Sequence, residues 1–349
     1  MKKLKVGVVG CGSIAGYAHF PSYEKMKDQV EVVACADIVP EKAKAAAEKY
    51  GIPHWYDSVE ALLAAEPDVD YIDVCTWTAA HAPVTIAAAK AGKHVLCEKP
   101  LAASLEQGLA MADAIREAGV TFMLAVCTRY GNEQQKFIEL RDQGVFGEIY
   151  YAKTAYTRRR GSPGSWFTNK ALAGGGPVLD IGVHAIDRTW YLMGRPTPLT
   201  VSAETSYRIG KNNAEASFTW GGVDRPDAEI YDVEDSACVF FRFEGGKAMI
   251  AEASWTQNMP EEFYSKIFGS KAGCTFEPLT IHGTDENGKL TDIKIEVPGN
   301  DFYLDEIKHF VDCLNTGKTP ISPMEDALVI QRMLDGIYRS AEAHREVEI

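Results

Sequence analysis

Through the first third of the chain, short β-prone apolar runs alternate with alanine-rich stretches whose charges recur at helical intervals. The runs lie at residues 5–9, 31–36, 71–75, 94–97 and 121–126, and each reads as a strand. Between them, residues 13–27, 40–50, 58–65, 80–91 and 104–118 read as helices. Strands that take turns with helices build a doubly wound parallel sheet.

After about residue 145 the pattern changes. Longer β-prone segments follow one another at 148–156, 200–207, 237–243, 248–257 and 264–269, with shorter ones at 280–282 and 292–297. Successive strands without helices between them predict a mostly antiparallel sheet. One helix interrupts them at 180–193, and two close the chain at 301–315 and 323–343. The fold class expected is α/β, with a nucleotide-binding domain at 1–125 and an α+β substrate and oligomerisation domain at 126–349. The last helix is placed to pack back on the first domain.

Gly10-Cys11-Gly12-Ser13-Ile14-Ala15 joins the first strand to the first helix, the context in which a GxGxx(G/A) pattern acquires meaning. Gly10 permits the tight turn, Gly12 lets backbone approach a pyrophosphate, and Ala15 keeps helix and strand close. Ser13 and Ile14 then sit at a helix N-terminus, where exposed N–H groups bind phosphate. The second strand ends at Asp37, 25 residues after Gly12, placed to accept hydrogen bonds from the adenosine ribose. An anion there repels a 2′-phosphate, and Ile38-Val39-Pro40 offers no arginine or serine to hold one, so the pattern favours NAD over NADP.

Two further segments carry candidate chemistry. Glu98-Lys99-Pro100 stands at the end of the fourth strand, where open α/β sheets place their ligands, and Pro100 restricts Lys99 to extended geometry. Gly174-Gly175-Gly176 runs into a helix whose Asp180 and His184, four apart, share a face in otherwise apolar surroundings. Buried polar groups need partners, so the pair is either a structural hydrogen bond or part of a site.

The fingerprint at 10–15, Glu98-Lys99-Pro100, the GGGxxxDxGxH stretch ending at His184 and the helix start at 320–327 together resemble the glucose–fructose oxidoreductase / inositol dehydrogenase / rhizopine catabolism (Gfo/Idh/MocA) family, in family order and over most of the chain. The resemblance implies a Rossmann domain plus an open-faced sheet domain. It implies a cleft where Lys99, Asp180 and His184 meet an NAD nicotinamide and a secondary alcohol of a sugar, cyclitol or glycoside, with the C3 hydroxyl of a glycoside as one form. Alcohol oxidation removes a hydride and a proton, so a base must reach the hydroxyl; Lys99 and His184 share that role, and Asp180 orients the histidine or binds another hydroxyl. The resemblance also brings Thr76, Trp77, Thr78, His81 and Glu98 to the cofactor. Trp166 is either its nicotinamide cover or core packing. Substrate contacts are expected from Arg129, Tyr156 and Arg158, the last within a run of three arginines that otherwise reads as a solvated edge. Two other activities fit the same outline: an NAD-dependent glycosidase working by transient C3 oxidation and elimination, and a non-enzymatic NAD-sensing regulator.

Charge and composition narrow the remaining choices. A net charge of −13 and a pI near 5.2 argue against nucleic acid or an anionic membrane as partner. The N-terminal apolar stretch is too short for a signal segment and nothing approaches a membrane span, so a cytoplasmic protein is expected. Eight scattered cysteines without a CxxC pair read as reduced thiols, with no metal site expected. An open-faced sheet left bare invites aggregation, which predicts a homodimer or homotetramer built through it.

Overall fold

A computed structural model describes residues 3–210 and 230–349. The chain order begins β1 (Leu4–Val9), α1 (Phe20–Lys25), β2 (Val30–Ala36), α2 (Pro40–Tyr50), β3 (His54–Tyr56), α3 (Val59–Ala65) and β4 (Tyr71–Val74). It continues with α4 (Thr78–Lys90), β5 (His94–Glu98), α5 (Leu105–Ala118), β6 (Phe122–Ala125) and α6 (Asn132–Asp142). Among the described residues these strands form one parallel sheet in the order β3-β2-β1-β4-β5-β6. The order reverses at the paired strands β1 and β4, so the connections leaving them diverge and open a crevice at their carboxyl ends.

Local sequence explains the boundaries. Ser58 and Ser104 cap α3 and α5, their hydroxyls accepting N–H bonds from Ala61 and Gln107, while Gly51 and Gly119 end α2 and α5 in left-handed conformation. The strands bury both faces: β4 and β6 have no exposed residue, which is why they lack polar alternation.

The second half contains β7 (Ile149–Thr157), α7 (Lys170–Ala173), α8 (Val183–Leu192), β8 (Pro198–Ser206), β9 (Ser236–Phe243), β10 (Lys247–Ser254) and β11 (Glu262–Gly269). After them come β12 (Gly273–Thr275), β13 (Thr280–Thr284), β14 (Leu290–Lys294), α9 (Phe302–Thr316), α10 (Met324–Ala343) and β15 (Val347–Glu348). The sheet order is β14-β13-β12-β11-β7-β10-β9-β8-β15. It is antiparallel as expected, save that β7 and β10 run parallel from Tyr151↔Ala248 to Thr157↔Ser254. Val239, Phe241, Met249, Ala251 and Ile267 bury one face of this sheet against Ile186, Trp190, Ile330 and Ile337 of α8 and α10. Along the same strands Cys238, Phe240, Arg242, Ile250, Glu252, Tyr264 and Phe268 alternate to the opposite face and stay exposed or half-buried.

The closing helices reach across. Ile307, Phe310 and Val311 of α9 join the core beneath β1 and β2, and Met324 and Ala327 at the start of α10 join the core under α4 and α5. No described helix is long and apolar enough to cross a membrane.

Candidate active site

A cavity of about 1110 Å³ opens at the carboxyl ends of β1, β2, β4 and β5 and is closed from the other side by β7, α8 and the loop before α7. Its first wall is the glycine turn. Gly10 has φ +95°, and a Cβ there would stand 2.5 Å from the Cys75 carbonyl oxygen, so a side chain fits neither the backbone nor the space. Gly12 is the opposite case: an added Cβ would meet nothing within 4 Å, because the bare backbone faces the cavity. Ser13 and Ile14 follow along the same wall, and the helix begins with a π turn over Ala15–His19. At the end of β2 the Asp37 carboxylate is held by N–H donors, Cys11 to Oδ2 at 2.8 Å and Val39 to Oδ1 at 2.9 Å. An open glycine backbone beside an oriented carboxylate is the donor and acceptor set that pyrophosphate and a ribose diol require.

Thr76 and Trp77 line the cavity, whereas Thr78 and His81 sit beside it. Trp77, Ala80 and Val84 occupy the cavity face of α4, and Thr78 and His81 fall on the neighbouring buried face. His81 ties two turns together instead, with Nδ1 2.8 Å from the Pro100 carbonyl and Nε2 3.1 Å from that of Thr76. Arg129 is placed elsewhere. It is buried away from the cavity, donating to both Asp187 oxygens at 2.9 and 2.6 Å, to Asp326 at 2.6 Å and to the Ile321 carbonyl. Its charge is consumed in fastening α8 to the start of α10, and a buried guanidinium so paired has none left for a ligand.

Lys99, Asp180 and His184 do meet. Lys99 Nζ donates to the Asp180 carbonyl at 2.8 Å and to its Oδ1 at 3.1 Å, and Trp255, fully buried, donates its indole N–H to Oδ2 at 2.9 Å. Burial raises the Asp180 pKa, but Lys99, Arg158 and the Trp255 hydrogen bond outweigh it and leave the carboxyl below its ordinary value. His184 moves well below the usual imidazole value because of burial first, then the charge of Lys99, with Arg158 and Arg188 adding and Asp180 opposing. A neutral imidazole results, and its buried Nδ1 has no hydrogen-bond partner among the described residues. Nδ1 is enclosed, so the edge of this half-buried ring that lines the cavity is the one a ligand can meet.

Asp180 lies in a π turn, Val178–Gly182, that leads into α8; π turns concentrate at functional sites. The glycines before it are packed close. Gly174 has φ +82°, and Cβ atoms at Gly175 and Gly176 would collide with the Tyr338 hydroxyl and the Glu234 carbonyl. The Glu234 side chain accepts the N–H groups of Gly176 and Val178 at 3.0 and 3.1 Å and the Tyr338 hydroxyl at 2.9 Å.

Tyr156, Arg158 and Trp166 also line the cavity. The Tyr156 ring lies 6.4 Å from the His184 ring and 4.5 Å from that of Phe263, and Arg158 sits 5.4 Å over it. Trp166 stacks on Phe167 at 3.8 Å. Glu98 faces the cavity and accepts the Lys99 N–H at 3.1 Å. Sequence reading missed Trp255, Glu234, Tyr338 and the cavity residues Lys42, Lys49, Tyr17 and Tyr303. None carries a local motif; each arrives through tertiary contact.

Comparison with known proteins agrees with this geometry. Residues 4–126 match the model of an oxidoreductase family with NAD-binding Rossmann fold, and residues 135–275 match the GFO/IDH/MocA C-terminal domain. The chain is 35% identical to D-glucoside 3-dehydrogenase of Escherichia coli, over 99% of this chain and 97% of that protein. It is 31% identical to levoglucosan dehydrogenase of Pseudarthrobacter phenanthrenivorans, over 82% and 73%. The structure of an aldose-aldose oxidoreductase from Caulobacter crescentus superposes with a TM-score of 0.82 at 28% identity, covering 100% of both chains.

Proposed function

The chain belongs to the GFO/IDH/MocA family of NAD-binding oxidoreductases, and from that premise we propose that it oxidises a secondary alcohol of a pyranoside, at the C3 hydroxyl, and reduces the ketone in the reverse direction. The observation that carries the reading is the meeting of Lys99, Asp180 and His184 in one cavity with the glycine turn and Asp37. Likeness to D-glucoside 3-dehydrogenase along nearly the whole chain supports the position on the ring.

NAD, when bound, accepts the hydride; the protein must take the hydroxyl proton and hold the sugar. His184, neutral and lining the cavity, accepts that proton or passes it through Lys99, so the two act jointly. Asp180 stays ionised and draws two of the three ammonium N–H bonds of Lys99 to itself, fixing the third direction for the substrate oxygen. Tyr156 and Arg158 supply a ring face and a cation for neighbouring hydroxyls. Self-association to a homodimer or homotetramer through the exposed sheet face completes the proposal.

The test is absorbance at the NADH band with purified protein, NAD and a panel of glucosides, free sugars and cyclitols. NADH rising with glucosides, and a 3-keto product, is the expected result. Cleavage of the glycoside without net NADH would replace it with the elimination chemistry of an NAD-dependent glycosidase. No reaction with any member would leave the regulator reading.

A further inference from the structure

Directly beneath the catalytic turn lies a buried group that the mechanism above does not use. His19, 1% exposed, is the last residue of the π turn that opens the fingerprint helix. Its Nδ1 stands 2.7 Å from Asp73 Oδ2 on β4, and its Nε2 3.0 Å from Glu98 Oε1 at the end of β5. Two ionised carboxylates, one at each nitrogen, are both served by a ring that donates from both, the imidazolium. The charge of Asp73 drives the proton affinity up against the opposing effect of burial.

The remaining contacts are distributed unequally. Asp73 also receives the Tyr23 hydroxyl at 2.7 Å and the Cys75 thiol at 3.5 Å, so it is held without His19. Glu98 has its other oxygen on the Lys99 N–H at 3.1 Å, and the carboxylate therefore bridges His19 to the backbone of the catalytic lysine. His19, Asp73 and Cys75 converge closely enough to surround a small cation, but the 2.7 Å separation is that of a charge-assisted hydrogen bond.

We propose that His19 is a positioning residue: through Glu98 it sets the place of Lys99 beside Asp180, and so connects the helix that begins at the cofactor's phosphates to the group that acts on the substrate. His19 is buried with Ala15 and Ala18 on the inner face of this turn, and its ring reaches the ends of β4 and β5. Binding at the glycine turn and order at Lys99 then share one rigid side-chain path, 19 to 98 to 99, with no flexible loop in it.

The proposal rests on Lys99 acting on the substrate, and its test separates the two histidine contacts. Asparagine can reproduce the Nδ1 donor to Asp73 but not the Nε2 donor to Glu98, and glutamine does the reverse. His19→Asn should lower kcat about a hundredfold and His19→Gln about tenfold or less, with NADH affinity by fluorescence within a few fold in both. In crystals, Lys99 Nζ should leave Asp180 in His19→Asn and keep it in His19→Gln. Equal losses of turnover in the two variants, tracking equal losses of thermal stability, would overturn the proposal, as would Lys99 unmoved in His19→Asn. Should His19→Asn not fold, Glu98→Asp withdraws the carboxylate from His19 while sparing the His19–Asp73 pair; turnover and Lys99 placement must then both suffer, and an unaltered enzyme refutes the role. If the unaltered protein turns over no sugar, the functional reading fails, while the crystallographic position of Lys99 still decides this one.

Discussion

An ammonium group has three N–H bonds, and Lys99 directs two at Asp180. That leaves one donor in the cavity next to a histidine that burial keeps neutral, an arrangement suited to moving one proton. Lys99→Met and His184→Gln should each lower kcat by about 10²–10⁴ with NADH affinity within a few fold, since both act on the alcohol; NADH fluorescence and steady-state rates separate the two effects. His184 also predicts a pH dependence. Its folded-state value lies below the roughly 6.5 of an unfolded histidine, so the unfolded chain takes up the proton first. The stability this group contributes is complete above about pH 6.5 and is lost as pH falls toward the folded value. Melting curves from pH 8 to 5 should therefore fall less steeply for His184→Gln than for the native chain, and equal slopes would contradict the assignment. At this scale the sequence revealed residues whose signal is local: a lysine presented by a strand end and a proline, and an Asp–His pair four apart after three glycines. It gave no sign of the Arg129 ion pairs, because a cation beyond a strand end can turn inward as readily as outward, and here Asp187 and Asp326 draw it in. Trp255 and Glu234 were invisible, since nothing near them in sequence shows that Asp180 and the glycine loop fold onto them.

At the scale of elements, the strand–turn–helix at the N-terminus sorts its two glycines by cause. Gly10→Ala meets the Cys75 carbonyl in a backbone conformation that disfavours any side chain, so it should lower the melting temperature of the cofactor-free protein by several degrees, about 1–3 kcal/mol. Gly12→Ala meets nothing and should leave that melting temperature nearly unchanged, while weakening NADH binding about tenfold or more by placing a methyl where the phosphates lie. Calorimetry and titration together check the contrast. Most strands and helices were legible because their periodicity is local. Strand β3 was not, being three residues at an exposed sheet edge, nor was α6, whose polar sequence buries chiefly Phe137. The parallel pairing of β7 with β10 was hidden for another reason: strand order and direction are properties of the sheet and leave no trace in the alternation of one strand.

Across the whole molecule, the uncovered face of the second sheet offers Phe240, Ile250, Tyr264 and Phe268 among Arg242, Glu252 and Lys266. Large apolar side chains interleaved with charges, Lys266 between Tyr264 and Phe268 on one strand, give a face that a second copy of the chain can cover. Light scattering should give a multiple of the 38.3 kDa chain mass, and Ile250→Glu should shift it toward the single chain; a native monomer would contradict the oligomer proposal. Helix α10 bears on the molecule in a different way. Met324 and Ala327 enter the core of the first sheet, while Ile330, Met333, Leu334 and Ile337, one to three turns later, enter the core of the second. A ribosome makes this clasp only after every strand of both sheets but β15 has emerged. Until α10 is made, the apolar seams it covers on both cores stay bare, and bare apolar surface is what makes an incomplete chain prone to aggregate.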